Sequence, residues 1–277
     1  MDPDYLGELF GIRDKVIVIT GGGGVLCGTI ARGLARAGAK IAVLDILLEA
    51  AQKVADVISS QGGRAIALYA DVLNKQTLQD CLDQVLDRFG VVDVLLNGAG
   101  GNKREATTAP ELSFFDLPEE SFQWVFNLNF IGTLLPSQVF GRYMAGRGEG
   151  IILNTSSVNA IKPLTKIPAY SAAKAAVMNF TEWLAVHISQ NYSTKIRVNA
   201  IAPGFFLTTQ NRFLLTDEKT GEATPRGQTI IDHTPMRRYG EPEELISTVL
   251  WLLSPGATFV HGVTVPVDGG FCAFGGV

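Results

Sequence analysis

Tyr170 and Lys174 stand one helical turn apart in Y-S-A-A-K, and Ser157 lies thirteen residues upstream. At four-residue spacing on a helix the phenol and the ammonium share a face. A phenol, ordinarily of pKa ~10, gives up its proton more readily beside a fixed cation. Such a pair is an acid/base for an alcohol or a carbonyl near neutral pH. The motif alone is equally an ordinary helix carrying one tyrosine and one lysine, so the surrounding elements must decide.

Those elements alternate. Short β-branched or apolar runs are predicted at Lys15–Thr20, Lys40–Leu44, Arg64–Tyr69, Val92–Asn97, Gly150–Thr155, Lys195–Ile201 and Gly262–Val267. Between them helical patterns cover Gly28–Ala37, Leu48–Gln61, Lys75–Phe89, Glu119–Ala145, Tyr170–Gln190 and Pro242–Leu253. Continuous apolar strands alternating with helices predict a parallel sheet buried on both faces. Seven of them give an α/β, Rossmann-type doubly wound fold in a single domain. Two stretches, Gly100–Pro118 and Thr208–Arg238, read as irregular. Both follow strand C-termini, the edge where open α/β sheets bind ligands. The second carries Phe205, Phe206, Phe213, Leu214 and Leu215 at or near its start, too apolar for a solvated loop, and is expected to be a substrate lid within about 208–238.

Composition narrows the function. The 277 residues are 47% hydrophobic and 18% charged, with a net charge of −4. That leaves no basic field for nucleic acid. No apolar run reaches the ~18 residues of a membrane span. Met1–Arg13 lacks a signal-peptide pattern. Cys27, Cys81 and Cys272 suit neither a disulfide framework nor a zinc site, so a reducing cytoplasm is the expected compartment and no metal is expected.

Gly21, Gly22, Gly23 and Gly24 lie between the first strand and its helix, where glycine lets backbone N–H groups approach a pyrophosphate. No Gly-Lys-Ser/Thr follows, which disfavours a nucleotide-triphosphate loop. Asp45 ends the second strand, where a carboxylate accepts from the adenosine ribose hydroxyls and repels a 2′-phosphate; Ile46 follows it rather than an arginine. Together these predict NAD (NADH), with NADP disfavoured. Asp71 and Val72 are expected to border the adenine, and Asn97-Gly98-Ala99-Gly100 to pass under the ribose and nicotinamide.

These pieces together resemble the short-chain dehydrogenase/reductase family over nearly the whole chain. The matching stretches are T-G at Thr20, N-G-A-G at Asn97, Asn129, S-S at Ser156, Y-S-A-A-K at Tyr170, N-A-I-A-P-G at Asn199 and V-D-G-G at Val267. One departure stands out: the family's T-G-x-x-x-G-x-G pattern, laid from Thr20, puts Val25 and Cys27 where glycines belong. The resemblance implies that Tyr170 is the general acid or base and that Lys174 lowers its pKa and holds the nicotinamide ribose. Ser157 then bonds the substrate oxygen, and Asn129 holds a relay water. It further implies cofactor contacts from Gly21, Gly23, Gly24, Val25, Leu26, Asp45, Ile46, Asp71, Val72, Asn97, Gly98, Ala99, Tyr170, Lys174, Pro203, Gly204, Phe206 and Thr208.

Substrate choice must come from less general segments. Lys162, Lys166, Asn102, Lys103, Arg104, His233, Arg237 and Arg238 lie in or beside the two irregular stretches and before Tyr170. Cationic and amide groups there suit a small polyhydroxylated acid, with Asn102 and Lys166 the candidates to orient it. G-G-G-G-V-L-C, T-K-I-P-A-Y-S-A-A-K-A-A and the G-F-C-A-F-G-G-V end resemble the branch of D-mannonate oxidoreductases (D-fructuronate reductases). These are similar to gluconate 5-dehydrogenases and more distantly to 3-oxoacyl reductases. That implies a sugar-acid substrate interconverted between alcohol and ketone. An acyl-thioester substrate and a non-catalytic NADH-binding sensor on the same fold stay open as alternatives. The family's quaternary pattern implies a homotetramer, paired through the long apolar helices and the last strand. The tail Phe271–Val277 is expected to pack against a neighbouring subunit.

Overall fold

The computed structural model describes residues 3–208, 215–217 and 220–276. A first helix, α1 (Pro3–Phe10), precedes the alternation β1 (Val16–Thr20), α2 (Val25–Arg36), β2 (Lys40–Asp45), α3 (Leu48–Ser60), β3 (Arg64–Tyr69), α4 (Lys75–Phe89) and β4 (Val94–Asn97). The second half runs α5 (Glu119–Phe126), α6 (Gly132–Arg147), β5 (Gly150–Thr155), α7 (Val158–Ile161), α8 (Pro168–Asn191) and β6 (Ile196–Pro203). It ends with α9 (Pro225–His233), α10 (Glu244–Leu253) and β7 (Thr264–Val267). The strands form one seven-stranded parallel sheet in the order β3-β2-β1-β4-β5-β6-β7. The order reverses between β1 and β4, and at that switch point the loops leave in opposite directions and open a crevice.

Side-chain alternation explains why the strands read as unbroken apolar runs. Ile17 and Ile19 of β1 join one core with Ile30 and Leu34 of α2, Val54 and Ile58 of α3, and Leu245 and Val249 of α10. Val16 and Val18 face the other core, with Leu78 and Val85 of α4, Phe140 and Met144 of α6, and Ile188 of α8. Both faces are therefore dry, and the ends of the strands are where polar chemistry can sit.

Several boundaries differ from the sequence expectation. Helix α2 begins at Val25, three residues earlier, because Gly24 is its N-cap. The helix predicted over Glu119–Ala145 is interrupted by a π-helical turn at Asn127–Ile131. The stretch expected to be irregular after β6 contains α9, whose start is fixed by Pro225 and by the Thr224 hydroxyl accepting from Gly227 N–H at 3.1 Å. Phe213 and Leu214 of the expected lid lie outside the described residues, as does Val277.

The departed glycine pattern has a compensation. A Cβ on Gly98, at the end of β4, would lie 2.1 Å from the Cys27 sulfur and 2.8 Å from the Thr20 carbonyl oxygen. The glycine missing at position 27 is thus replaced by one on the facing strand, and Cys27 fills the space. Gly98→Ala is expected to destabilise the fold by ~1–3 kcal/mol through overpacking. Adding Cys27→Ala should recover only part of that, since the Thr20 carbonyl still collides. Urea denaturation of the single and double variants measures both terms.

Candidate active site

The site is built at the C-terminal edge of the sheet, where Thr20, Asn97 and Asn154 lie in register at the ends of β1, β4 and β5. The Thr20 hydroxyl accepts from Gly98 N–H at 3.1 Å and Ala99 N–H at 3.3 Å. Asn97 donates to Ser137 at 3.0 Å and Asn154 at 2.9 Å, and Asn154 donates to Thr181 at 2.9 Å. Asn97 is therefore buried and structural, while the residues after it face the crevice.

The glycine turn has the geometry of an anion cradle. Gly21 has a left-handed backbone, φ 63°, and a Cβ on it would lie 2.8 Å from the Ala99 backbone. Helix α2 has no side-chain cap at its N-terminus, so its first-turn N–H groups are open to a phosphate. The Asp45 carboxylate accepts from Gly23 N–H at 3.0 Å and Leu47 N–H at 2.9 Å, which fixes it beside that turn. Of the cofactor residues expected from sequence, Gly21, Gly24, Val25, Leu26, Asp45, Ile46, Asp71, Val72, Gly98, Ala99 and Thr208 line one cavity of about 580 Å³. Gly100, Leu73, Trp124 and Leu128 line it too. Sequence reading had missed the last three; an apolar residue just past the Asp71-Val72 pair was the available signal. Pro203 and Gly204 end β6, with Gly204 N–H bonded to the Val267 carbonyl at 2.9 Å. Phe206, expected among the cofactor contacts, is buried and packs against Gly240, where a Cβ would come within 2.5 Å of its ring. The residues present fit a dinucleotide, whose nicotinamide would accept or deliver the hydride.

Lys174 is buried, and its ammonium donates to the Thr155 carbonyl at 2.8 Å. Its Nζ lies 5.6 Å from the centroid of the Tyr170 ring. Ser157 caps the short helix α7, accepting from Asn159 N–H at 3.3 Å, and its hydroxyl is hydrogen-bonded to Tyr170. Asn129 sits in the π-helical turn, a feature frequent at functional sites. Its amide donates to the carbonyls of Val125 and Gly101, both at 2.7 Å, and accepts from Gly101 N–H at 3.2 Å. A Cβ on Gly100 would lie 2.6 Å from Asn129 Oδ1 and 3.2 Å from Lys174 Nζ. The absence of a side chain there lets the loop after β4 close over both.

Burial governs the electrostatics of the pair. Burial holds the phenol above its ordinary value, and the hydrogen bond with Ser157 opposes that rise. Burial acts on the ammonium as well and drops it from 10.5 to about 8.

Of the two substrate candidates, the structure separates one from the other. Asn102 is exposed and donates to Thr107 at 2.9 Å. Lys166 lines a cavity of about 310 Å³ with Leu164, Phe205, Arg226, His233 and Phe271. Lys103 lies over the Trp124 ring at 5.2 Å, Lys162 donates to the Phe274 carbonyl at 2.7 Å, and Arg237 and Arg238 pair with Asp232 and Glu244. Arg226 was not singled out from the sequence, because nothing local marked it. Through Phe271 and Phe274 the tail packs on its own chain: Phe271 meets Phe205 edge-on at 5.2 Å, and Phe274 meets His233 at 6.4 Å.

A seven-stranded doubly wound sheet with this Ser, Tyr and Lys at its C-terminal edge defines a nucleotide-dependent oxidoreductase. The chain belongs to the short-chain dehydrogenase/reductase family: a family model described as enoyl-(acyl carrier protein) reductase matches residues 26–272. It is 50% identical over 275 residues to the uncharacterized oxidoreductase UxuB of Bacillus subtilis (strain 168), covering 96% of this chain and 98% of that one. A crystal structure of a candidate D-mannonate oxidoreductase from Haemophilus influenza, with NAD bound, superposes with a TM-score of 0.91 at 47% identity, covering 98% of this chain and 100% of that one. A gluconate 5-dehydrogenase from Burkholderia cenocepacia J2315, in complex with NADP and tartrate, superposes with a TM-score of 0.85 at 30% identity over 96% of this chain and 98% of that one.

The depressed Lys174 has a consequence for stability. Its folded pKa of about 8 lies below the unfolded 10.5. The unfolded chain therefore binds more protons between those values, and stability rises with pH across that window. Below pH 8 the full cost of the buried cation is present, up to ~3 kcal/mol. Lys174→Met is expected to stabilise the cofactor-free chain at pH 7 by ~1–2 kcal/mol after the lost hydrogen bond to Thr155 is deducted. The gain should shrink as pH approaches 10.5. Urea midpoints at pH 7 and 9.5 test the sign; a gain that grows with pH would overturn it.

Proposed function

We propose that the chain is an NAD(H)-dependent oxidoreductase of sugar acids, interconverting D-mannonate and D-fructuronate. The observation that carries the chemistry is the linked set at the sheet edge. Ser157 bonds the Tyr170 hydroxyl, and Lys174 lies beside the same ring, anchored on Thr155. In this reading Tyr170 gives its proton to the carbonyl oxygen during reduction and takes it back during oxidation. Ser157 holds that oxygen, and Asn129 keeps the loop after β4 in place and supports the relay to Lys174. NAD supplies the hydride.

The preference for NAD rests on Asp45. Its carboxylate is fixed by Gly23 and Leu47 at the edge of the dinucleotide cavity, where a 2′-phosphate would meet a like charge. The substrate class rests on the small cavity at Lys166 and on the likeness to the candidate D-mannonate oxidoreductase. An acyl thioester is the second reading, favoured by the description of the matching family model. A cavity of about 310 Å³ bearing Lys166, Arg226 and His233 suits a small anion better than a long acyl chain.

The assay is oxidation of NADH, and of NADPH, with D-fructuronate, D-tagaturonate, 5-keto-D-gluconate and a 3-oxoacyl thioester. Reduction of fructuronate with NADH is expected, falling at least ~10³-fold in Tyr170→Phe. Turnover of only the thioester, or equal use of NADPH, would discard the substrate or the cofactor assignment respectively.

The enzyme is proposed to act in the cytoplasm as a homotetramer. Trp183, Val186 and Tyr192 on or just after α8 and Phe259 before β7 are exposed, and burying them against second copies would remove them from water. Light scattering should give about four times the 29.7 kDa chain mass. A monomeric mass would remove this assignment without touching the catalytic one.

A further inference from the structure

The cavity at Lys166 lies between the segment that leads into Tyr170 and helix α9. One wall is Phe205, directly after Gly204, braced edge-on by Phe271 of the tail. The tail is itself tied down by Lys162, which donates to the Phe274 carbonyl. The Lys166 backbone is fixed too, because its carbonyl accepts from Thr108 N–H at 2.9 Å.

Charge in this cavity is one-sided. Lys166, Arg226 and His233 line it, and no carboxylate does among the described residues. Arg237 and Arg238, a few residues on, are paired with Asp232 and Glu244. Arg226 and Lys166 have no ion pair among the described residues. Arg226 and Lys166 are both exposed, line the same mostly apolar cavity and could together receive an anion supplied from outside. The planar fork of a guanidinium bonds a carboxylate through two parallel N–H groups, which an ammonium cannot do.

We infer that Arg226, on the first turn of α9, is the residue that binds the substrate's carboxylate, with Lys166 as the second cation. This rests on the sugar-acid reading and names the part of it that discriminates acids from neutral polyols. Helix α9 then places the carboxylate, while Tyr170 and Ser157 hold the oxygen that is reduced.

The test compares D-mannonate with D-mannitol, which has a neutral CH₂OH in place of the carboxylate. Calorimetry on the NADH-loaded full chain is expected to show mannonate bound at least ~10-fold more tightly than mannitol. Arg226→Ala should abolish that gap, and Arg226→Lys should keep part of it. In turnover, Arg226→Ala should raise KM for D-fructuronate ~10–100-fold with kcat changed less than about threefold. Added guanidinium ion at millimolar concentration should restore part of the loss in Arg226→Ala, a response that a merely structural role would not give. An unchanged mannonate–mannitol gap in Arg226→Ala, or no gap in the unsubstituted chain, overturns the inference. Fructuronate reduction that survives Arg226→Ala with its KM intact sinks the carboxylate assignment and leaves the sugar-acid function standing. A mannonate gap that depends on Arg226, without fructuronate reduction, does the reverse.

Discussion

The ammonium of Lys174 is held in a dry place by one carbonyl, and much of the surrounding architecture follows from that. A lone buried cation is costly, and its depressed pKa records the cost. The cost is tolerable because Thr155, the last residue of β5, turns its carbonyl toward it. That placement requires α8 to cross close over the end of β5, and the Ser156 hydroxyl secures the crossing by donating to the Lys174 carbonyl at 3.0 Å. The loop after β4 must then approach without a side chain, which Gly100 permits. Asn129 locks that loop through two hydrogen bonds to Gly101 and is itself held by a third to the Val125 carbonyl of α5. An instability at the centre of the site is thus surrounded by rigid supports, the usual arrangement where function and stability conflict.

The second constraint is the crowding between β1 and β4. Reversal of strand order opens the crevice for the dinucleotide, yet the two strands still have to pack. The Thr20 hydroxyl holds the loop after β4 by accepting two backbone N–H groups, and Cys27 drops into the space Gly98 leaves free. Burial lifts the Cys27 thiol to about 12, so it is a packing group and not a nucleophile. A sequence can move the small residue from one side of a contact to the other and keep the contact.

Much of this was legible in the sequence. The seven strands were visible because a sheet buried on both faces leaves unbroken apolar runs, and Asp45 because it ends one of them. Tyr170 and Lys174 were visible because a helix fixes their relation. What stayed hidden depends on distance along the chain. Arg226 is about sixty residues from Lys166, and no local pattern joins them. The contact of the tail with Phe205 and His233 is of the same kind. A strand end gives no rule for which of two adjacent phenylalanines turns inward; Gly240 decides it by leaving room for the Phe206 ring. Helix α9 was missed because its flanking loops dominate the composition of that stretch, although Thr224 and Pro225 form a recognisable start.

The two cavities along the strand ends carry opposite chemistry. The one at β1 to β4 presents Asp45 and Asp71 together with open backbone N–H groups, and the one beside Phe205 and α9 presents, among the described residues, cations and no carboxylate. A small acid is repelled by the carboxylates of the first and attracted by the second, while the pyrophosphate of a dinucleotide is drawn to the N–H groups near Gly21. Under the proposed function, the charges would therefore draw the two reactants to different cavities. In the proposed function the acid's carboxylate would go to the cationic cavity. In that reading the catalytic set can remain general while the segment before Tyr170 and helix α9 decide what it acts upon.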